Sequence, residues 1–236
     1  MWQDVREELH PQGLEILTVA LELRGLDGTR RWIEAAQPRH PAVIDEAHVL
    51  DELFGVVNVP SGIWIDERGM IVRPPETAYP AIPGFLKQKV EPGVSAPETA
   101  DPYLTDVLKE SQKIRIQPRR YMKALRDWVA NGAASRYALT PDQVVDRSRA
   151  RSPDAAMAAA HFELAQHLHR AGHGDAAIPH FREAHRLQPE NWTYKRQAWS
   201  LVDRRQGPNS VYESDWLSEV RRIGAENYYE RLDMEE

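Results

Sequence analysis

The sequence predicts an α/β layer joined to an all-helical region, and three observations predict it. Up to residue 72, apolar runs with β-branched members alternate with apolar residues at helix spacing. From residue 74 to 102, seven prolines interrupt that periodicity. Beyond them, Asp101-Pro102, Thr140-Pro141 and Ser152-Pro153 each set a capping side chain before a proline, the pairing that opens helices.

Residues 2–9 read as the end of a helix, broken by Pro11 and Gly13. Residues 14–23, LEILTVALEL, are almost continuously apolar and read as a buried strand. Asp27, Gly28 and Thr29 form a turn into a helix that holds Trp32 and Ile33, and His40-Pro41 ends that region. Residues 42–44 make a short strand closing on Asp45. In residues 47–54 the apolar Val49, Leu50, Leu53 and Phe54 fall at helix spacing, and Gly55 stops the helix. Residues 63–65 and 70–72 are strands of a hairpin that turns at Asp66-Glu67-Arg68-Gly69. The proline-rich stretch reads as an extended connector. After it, Asp101 caps one helix, Thr140 and Gln143 are placed for a capping box on another, and Ser152 opens a third. Helix then follows helix through Arg204, and a last one spans residues 214–229. The expected domains are residues 1–78, a connector with the first helix at 79–116, and a helical domain at 117–236.

Composition narrows the function. The chain has 236 residues, 42% hydrophobic and 28% charged, enough apolar material for a sizeable core. Its net charge is −6, with 9 Lys/Arg against 16 Asp/Glu in residues 1–100 and 21 against 20 in the rest. Nucleic-acid binding needs clustered positive charge, so no nucleic-acid partner is expected. No apolar run approaches the ~20 residues that span a bilayer. The acidic N-terminus, MWQDVREELH, does not read as a signal peptide. The expected location is cytoplasmic, without a membrane partner. The chain has no cysteine, which removes disulfides, cysteine-ligated zinc and thiolate nucleophiles together.

The segments GLEILTVALEL, PAVIDE and LFGVVNVPSGIWIDERGMIV, in this order and spacing, resemble the redoxin branch of the thioredoxin-like superfamily. The resemblance covers residues 13–72, about a quarter of the chain. It implies a Val-Pro step with a cis proline at Val59-Pro60, facing the family's thiol site. It also implies a central strand and a cysteine-bearing helix start upstream of Met1, with residues 1–8 matching the later part of that helix. The expected N-terminal fold is therefore an incomplete thioredoxin-like α/β domain. Its strand at 14–23 would pair directly with the strand at 63–65, or the place between them would be filled by another segment or protomer. Residues 158–191, AAAHFELAQHLHRAGHGDAAIPHFREAHRLQPEN, resemble one tetratricopeptide repeat of 34 residues. Leu164, Ala165 and Leu168 take the packing positions of its first helix. Ala177, Phe181 and Ala184 take those of the second, and Pro189 ends the unit. One repeat cannot bury its own face. Residues 192–204 are expected to follow it, and 120–134 to supply a degenerate preceding pair, giving an all-α tetratricopeptide-like C-terminal domain.

Two sets of residues are candidates for binding. Val59, Pro60 and Ser61 sit at the Val-Pro step, where the resemblance implies that backbone groups pair with an extended peptide; such strand addition needs no cysteine. Arg182, Arg186, Lys195, Arg196 and Trp199 are candidates for a helical groove. Arg204 and Arg205 would extend its rim, and Trp192, Tyr194, Tyr212, Trp216, Tyr228 and Tyr229 its lining. Acidic peptide termini suit such a surface. Six of nine histidines fall between His161 and His185. His167, His169 and His173 have spacings a metal site could use, but residues two apart face different ways on a helix, so no metal is expected. Asp45, Glu46, Asp51 and Glu52 offer carboxylates near Pro60 without a partnering nucleophile or electrophile. Glu46 is expected to cap a helix, and Asp51 and Glu52 to lie on a solvated face. No phosphate-binding loop, dinucleotide glycine pattern or nucleophile elbow is present, and no cofactor is expected. The expected function is a non-catalytic module that binds a protein or peptide and could self-associate. The alternative is a thiol oxidoreductase or peroxidase whose cysteine motif lies upstream of Met1.

Overall fold

Caps and breakers set where each element begins and ends. The computed structural model describes residues 1–84, 101–148 and 150–234. The α/β part runs α1 (Trp2–Leu9), β1 (Thr18–Leu21), α2 (Leu26–Ala36), β2 (Ala42–Asp45), α3 (Val49–Phe54), β3 (Ser61–Ile65) and β4 (Ile71–Thr77). The rest of the described chain is helical: α4 (Pro102–Ser111), α5 (Pro118–Asn131), α6 (Pro141–Ser148), α7 (Pro153–Arg170), α8 (Gly174–Leu187), α9 (Trp192–Val202) and α10 (Trp216–Ile223). Asp101 accepts from the Tyr103 N–H and Ser152 from the Ala155 N–H. Thr140 and Gln143 close a capping box, with bonds of 2.9 and 3.3 Å. Of the expected connector, residues 85–100, including Pro92 and Pro97, lie outside the described residues.

Several boundaries depart from expectation for physical reasons. The strand expected over 14–23 shortens to Thr18–Leu21 because its only hydrogen-bonded partner, β2, is four residues long. The turn before α2 is Gly25, with φ of +57°, so Asp27, Gly28 and Thr29 lie inside the helix. β4 continues through Pro74 and Pro75 to Thr77. Both prolines fall where the β3–β4 register shifts, and an edge strand tolerates proline at such irregularities. The last expected helix stops at Ile223 because Gly224 has φ of +79°.

The strands form two separate pairs. β1 and β2 are parallel, with Val19 opposite Val43. β3 and β4 are antiparallel, with Gly62 opposite Glu76. No strand hydrogen bond joins one pair to the other among the described residues.

Three apolar clusters hold the chain together. One joins α1 (Val5, Leu9), the hairpin (Trp64, Val72) and α5 (Tyr121, Met122, Ala124, Leu125) with the C-terminal Leu232 and Met234. Residues 120–134 thus pack on the hairpin rather than serving as a helical pair before α7. The second cluster interdigitates Ala158, Phe162 and Ala165 of α7 with Ala177, Phe181 and Ala184 of α8 and Tyr194 and Ala198 of α9. Leu164, expected here, is 42% exposed. Small residues on both helices bring them close, and Phe162 stacks on Tyr194 with centroids 4.1 Å apart. The third cluster gathers Tyr79, Trp192, Trp199, Val220, Tyr228 and Tyr229.

Phe162 is 1% exposed at the centre of the second cluster. Phe162→Ala is expected to lower the unfolding free energy by about 3–5 kcal/mol, measured by urea denaturation.

Candidate functional site

The two half-sheets present open edges to one another. Between β1 and β3 lies a cavity of about 1700 Å³. Its walls are mostly apolar: Leu50 and Phe54 from α3, Trp64 from β3, and Leu125 and Trp128 from α5. The C-terminal aromatics Trp216, Tyr228 and Tyr229 also line it, as do Arg196, Arg204 and Arg205. Of the two arrangements expected for these strands, direct pairing of β1 with β3 does not occur among the described residues.

Val59, Pro60 and Ser61 all line this cavity, and the Val59-Pro60 bond is cis. Several of their polar groups are engaged within the chain. The Val59 N–H donates to Asn58 Oδ1 at 2.9 Å, and the Val59 carbonyl accepts from the Tyr229 hydroxyl at 2.9 Å. The Ser61 hydroxyl donates to the Asn58 carbonyl at 2.7 Å.

The helical-groove candidates do not converge. Trp199 is fully buried and its indole N–H donates to Ser214. Lys195, 4% exposed, is held by Glu219 at 2.6 Å. Arg186 pairs with Glu183, and Arg182 donates to the Val211 carbonyl. Of the five, Arg196 alone reaches the cavity, where it donates to Gln206 Oε1 at 3.0 Å. Of the aromatic set, Trp192, Tyr194 and Trp199 are core residues.

The carboxylates near Pro60 also differ from expectation. Asp45, not Glu46, caps α3, accepting from the Val49 and Leu50 N–H groups at 3.1 and 2.7 Å. Asp51 is 3% exposed rather than solvated, and Glu52 is half-buried against Arg151 at 2.7 Å. Asp51 Oδ2 lies 2.9 Å from His48 Nδ1, and His48 Nε2 lies 3.0 Å from Gln197 Oε1. Gln197 Oε1 also accepts the Leu23 N–H at 3.1 Å, so that atom is an acceptor and His48 must donate to it. The other ring nitrogen faces the Asp51 carboxyl. Burial alone would push the imidazole pKa down. The hydrogen bond and charge of Asp51, the bond to Gln197 and the charge of Asp45 outweigh burial and raise it. Both ring nitrogens are engaged, which leaves His48 no free lone pair to act as a base.

One polar atom of this pair remains unengaged. Asp51 Oδ1 is buried with no hydrogen-bond partner, and Asp51 lines the cavity. The Tyr228 hydroxyl, on a residue 4% exposed, is a second buried, unpartnered group in the cavity wall. The His48-x-x-Asp51 spacing was the one sequence signal for this pair; burial came from contacts with α9 far along the chain. Elsewhere, His169 is in α7 and His173 lies beyond it. No group of three or more metal-ligating side chains occurs among the described residues, and no helix there is long and apolar enough to cross a membrane.

Two histidines give the fold opposing pH dependences. The raised pKa of His48 makes its contribution complete below the unfolded imidazole value of about 6.5, and it is lost as pH rises through the folded value. His185, enclosed by Trp199 and Tyr212, is pushed down to about 3, first by burial and then by the Lys195 charge. Its contribution is present above about 6.5 and is lost as pH falls. Urea midpoints are expected to peak near pH 6.5. His48→Gln should flatten the alkaline side and His185→Leu the acidic side. Leaving Asp51 buried without its His48 partner should cost about 3–5 kcal/mol; an unchanged profile in both variants would refute these assignments.

Comparison with known proteins finds no family model, curated protein or solved structure that matches this chain.

Proposed function

We propose that this chain is a non-catalytic protein-interaction module, combining a thiol-free thioredoxin-like α/β part with a tetratricopeptide-like helical part. Its ligand is a polypeptide segment of a partner, held in the cavity between β1 and β3. The observation that carries this reading is that cavity: an apolar cleft with a few convergent polar groups, the usual composition of a binding site. Its chemistry points the same way. The chain has no cysteine, the Ser61 hydroxyl is donated to a backbone carbonyl, and His48 is doubly bonded. Ser61 and His48 therefore do not form an activated nucleophile–base pair.

A second reading is favoured by the cavity's position, between the two strands that the redoxin resemblance separates by a central strand, which leads there into a cysteine-bearing helix start. In that reading the chain belongs to a thiol oxidoreductase, and the cysteine lies upstream of Met1. The intact mass of the protein from its own cells, with and without iodoacetamide, separates the two: a longer chain that takes up the reagent favours the enzyme.

The binding reading is tested with the immobilised full chain and a phage-displayed library of random nonapeptides. Peptides should be retained above the background of an unrelated protein. Ile63→Arg, which brings a guanidinium to the cavity wall, should lose them while keeping the wild-type circular dichroism. Equal retention by the variant, or none by the wild type, would sink the reading.

A further inference from the structure

The unpaired backbone of the two half-sheets can be assigned residue by residue. The Thr18 N–H donates to the Pro41 carbonyl and the Glu22 N–H to the Asp45 carbonyl. Even positions of β1 therefore face β2, and the backbone groups of Val19 and Leu21 face the cavity. On the other side, the Pro60 carbonyl accepts from Ala78 and the Asp66 N–H donates to Met70. The backbone groups of Ser61, Ile63 and Ile65 thus face the cavity from β3. Among the described residues each of these strands is paired on one side only, and residues of both line one mostly apolar cavity.

Resting on the binding reading above, we infer that the ligand is a β-strand of a partner polypeptide that inserts between β1 and β3 and joins the two pairs into one five-stranded sheet. The order becomes β2, β1, ligand, β3, β4. Extended backbone is the chemistry that satisfies two facing edges at once, because alternate residues of a strand direct their N–H and C=O groups to opposite sides. The flanking apolar side chains select a strand that is apolar on both faces, as sheet-centre strands are. Charge refines the choice. Arg204 has no carboxylate partner among the described residues, and Arg196 meets only the neutral Gln206. These two favour an acidic residue at their end of the strand. The exposed Val19 and Val43, opposite one another on β1 and β2, extend the apolar surface for the residues that continue from the inserted strand.

The test uses the nonapeptides retained by the full chain, resynthesised with N-methyl groups on either alternate set of residues. Affinity is read by fluorescence anisotropy. A strand bonded on both sides is expected to weaken about tenfold or more with either set, the loss of one or two backbone hydrogen bonds. Addition to a single edge is sensitive to one set only, and side-chain docking to neither; both results would overturn the inference while leaving the binding reading intact. Val19→Pro and Ile63→Pro, which remove N–H groups the ladders do not use, should weaken the unmethylated peptide similarly; the methylation series gives the answer on the wild-type chain if either variant fails to fold. Undiminished binding to both folded variants would refute the insertion. A concentration-dependent dimer in sedimentation velocity that Val19→Pro abolishes would also overturn it, by making a second copy the occupant. Retention of no peptide at all would defeat the binding reading itself.

Discussion

Gln197 is the joint on which the arrangement depends. From α9 its Oε1 accepts the Leu23 N–H just past β1 and the His48 Nε2–H at the start of α3. Beside it, the Val57 carbonyl accepts the Trp192 and Thr193 N–H groups at 2.6 and 3.2 Å. Those donors belong to the first turn of α9, which has no partners within the helix. A segment of the α/β part thus completes a helix of the other part, while that helix supplies the acceptor for a strand end and a buried imidazole. Arg24 adds a bond to the Ser200 carbonyl. The β1–β2 pair is in this way anchored from outside, by α9.

The β3–β4 pair is anchored by different elements. Trp64 stacks on Trp128 of α5 with centroids 5.0 Å apart and donates to the Tyr121 hydroxyl at 3.1 Å. Arg73, 2% exposed, pairs with Glu76 and donates to the carbonyls of Tyr137 and Asp233. Gly62 is required at this contact, since a Cβ there would meet the Tyr121 hydroxyl at 2.6 Å and the Ala78 Cβ at 2.9 Å. With each half-sheet fixed to a separate helical support, closing the space between β1 and β3 would mean giving up one set of buried bonds. The cavity therefore follows from how the two halves are held.

Much of this fold was legible because its signals are local. The Asp101, Thr140 and Ser152 caps, the Ala177-Phe181-Ala184 face and the hairpin turn each depend on residues a few positions apart, and each stands where the periodicity put it. The misses are long-range. Asp51 reads as a surface acid because its neighbours in sequence are mixed; it is buried because Gln197, 149 residues beyond His48, comes to the ring between them. Arg120–Ala134 reads as one more helix of a helical array, yet its apolar face finds the hairpin. The site divides along the same line. The Val59-Pro60-Ser61 step was readable from a motif, whereas the unpartnered atoms of Asp51 and Tyr228 emerge only when distant segments enclose them.

Those two atoms bear on stability. A buried carboxylate oxygen or hydroxyl without a partner costs roughly 1–3 kcal/mol relative to a satisfied one, and both are enclosed by protein. The other Asp51 oxygen is bonded to His48. The second nitrogen of that ring meets the Gln197 amide, which also accepts the N–H just past β1. Strand position and helix docking are thus linked through one side chain. The raised His48 pKa couples the stability of that junction to pH, since loss of the ring proton weakens the contacts that hold β1 and α3 to α9.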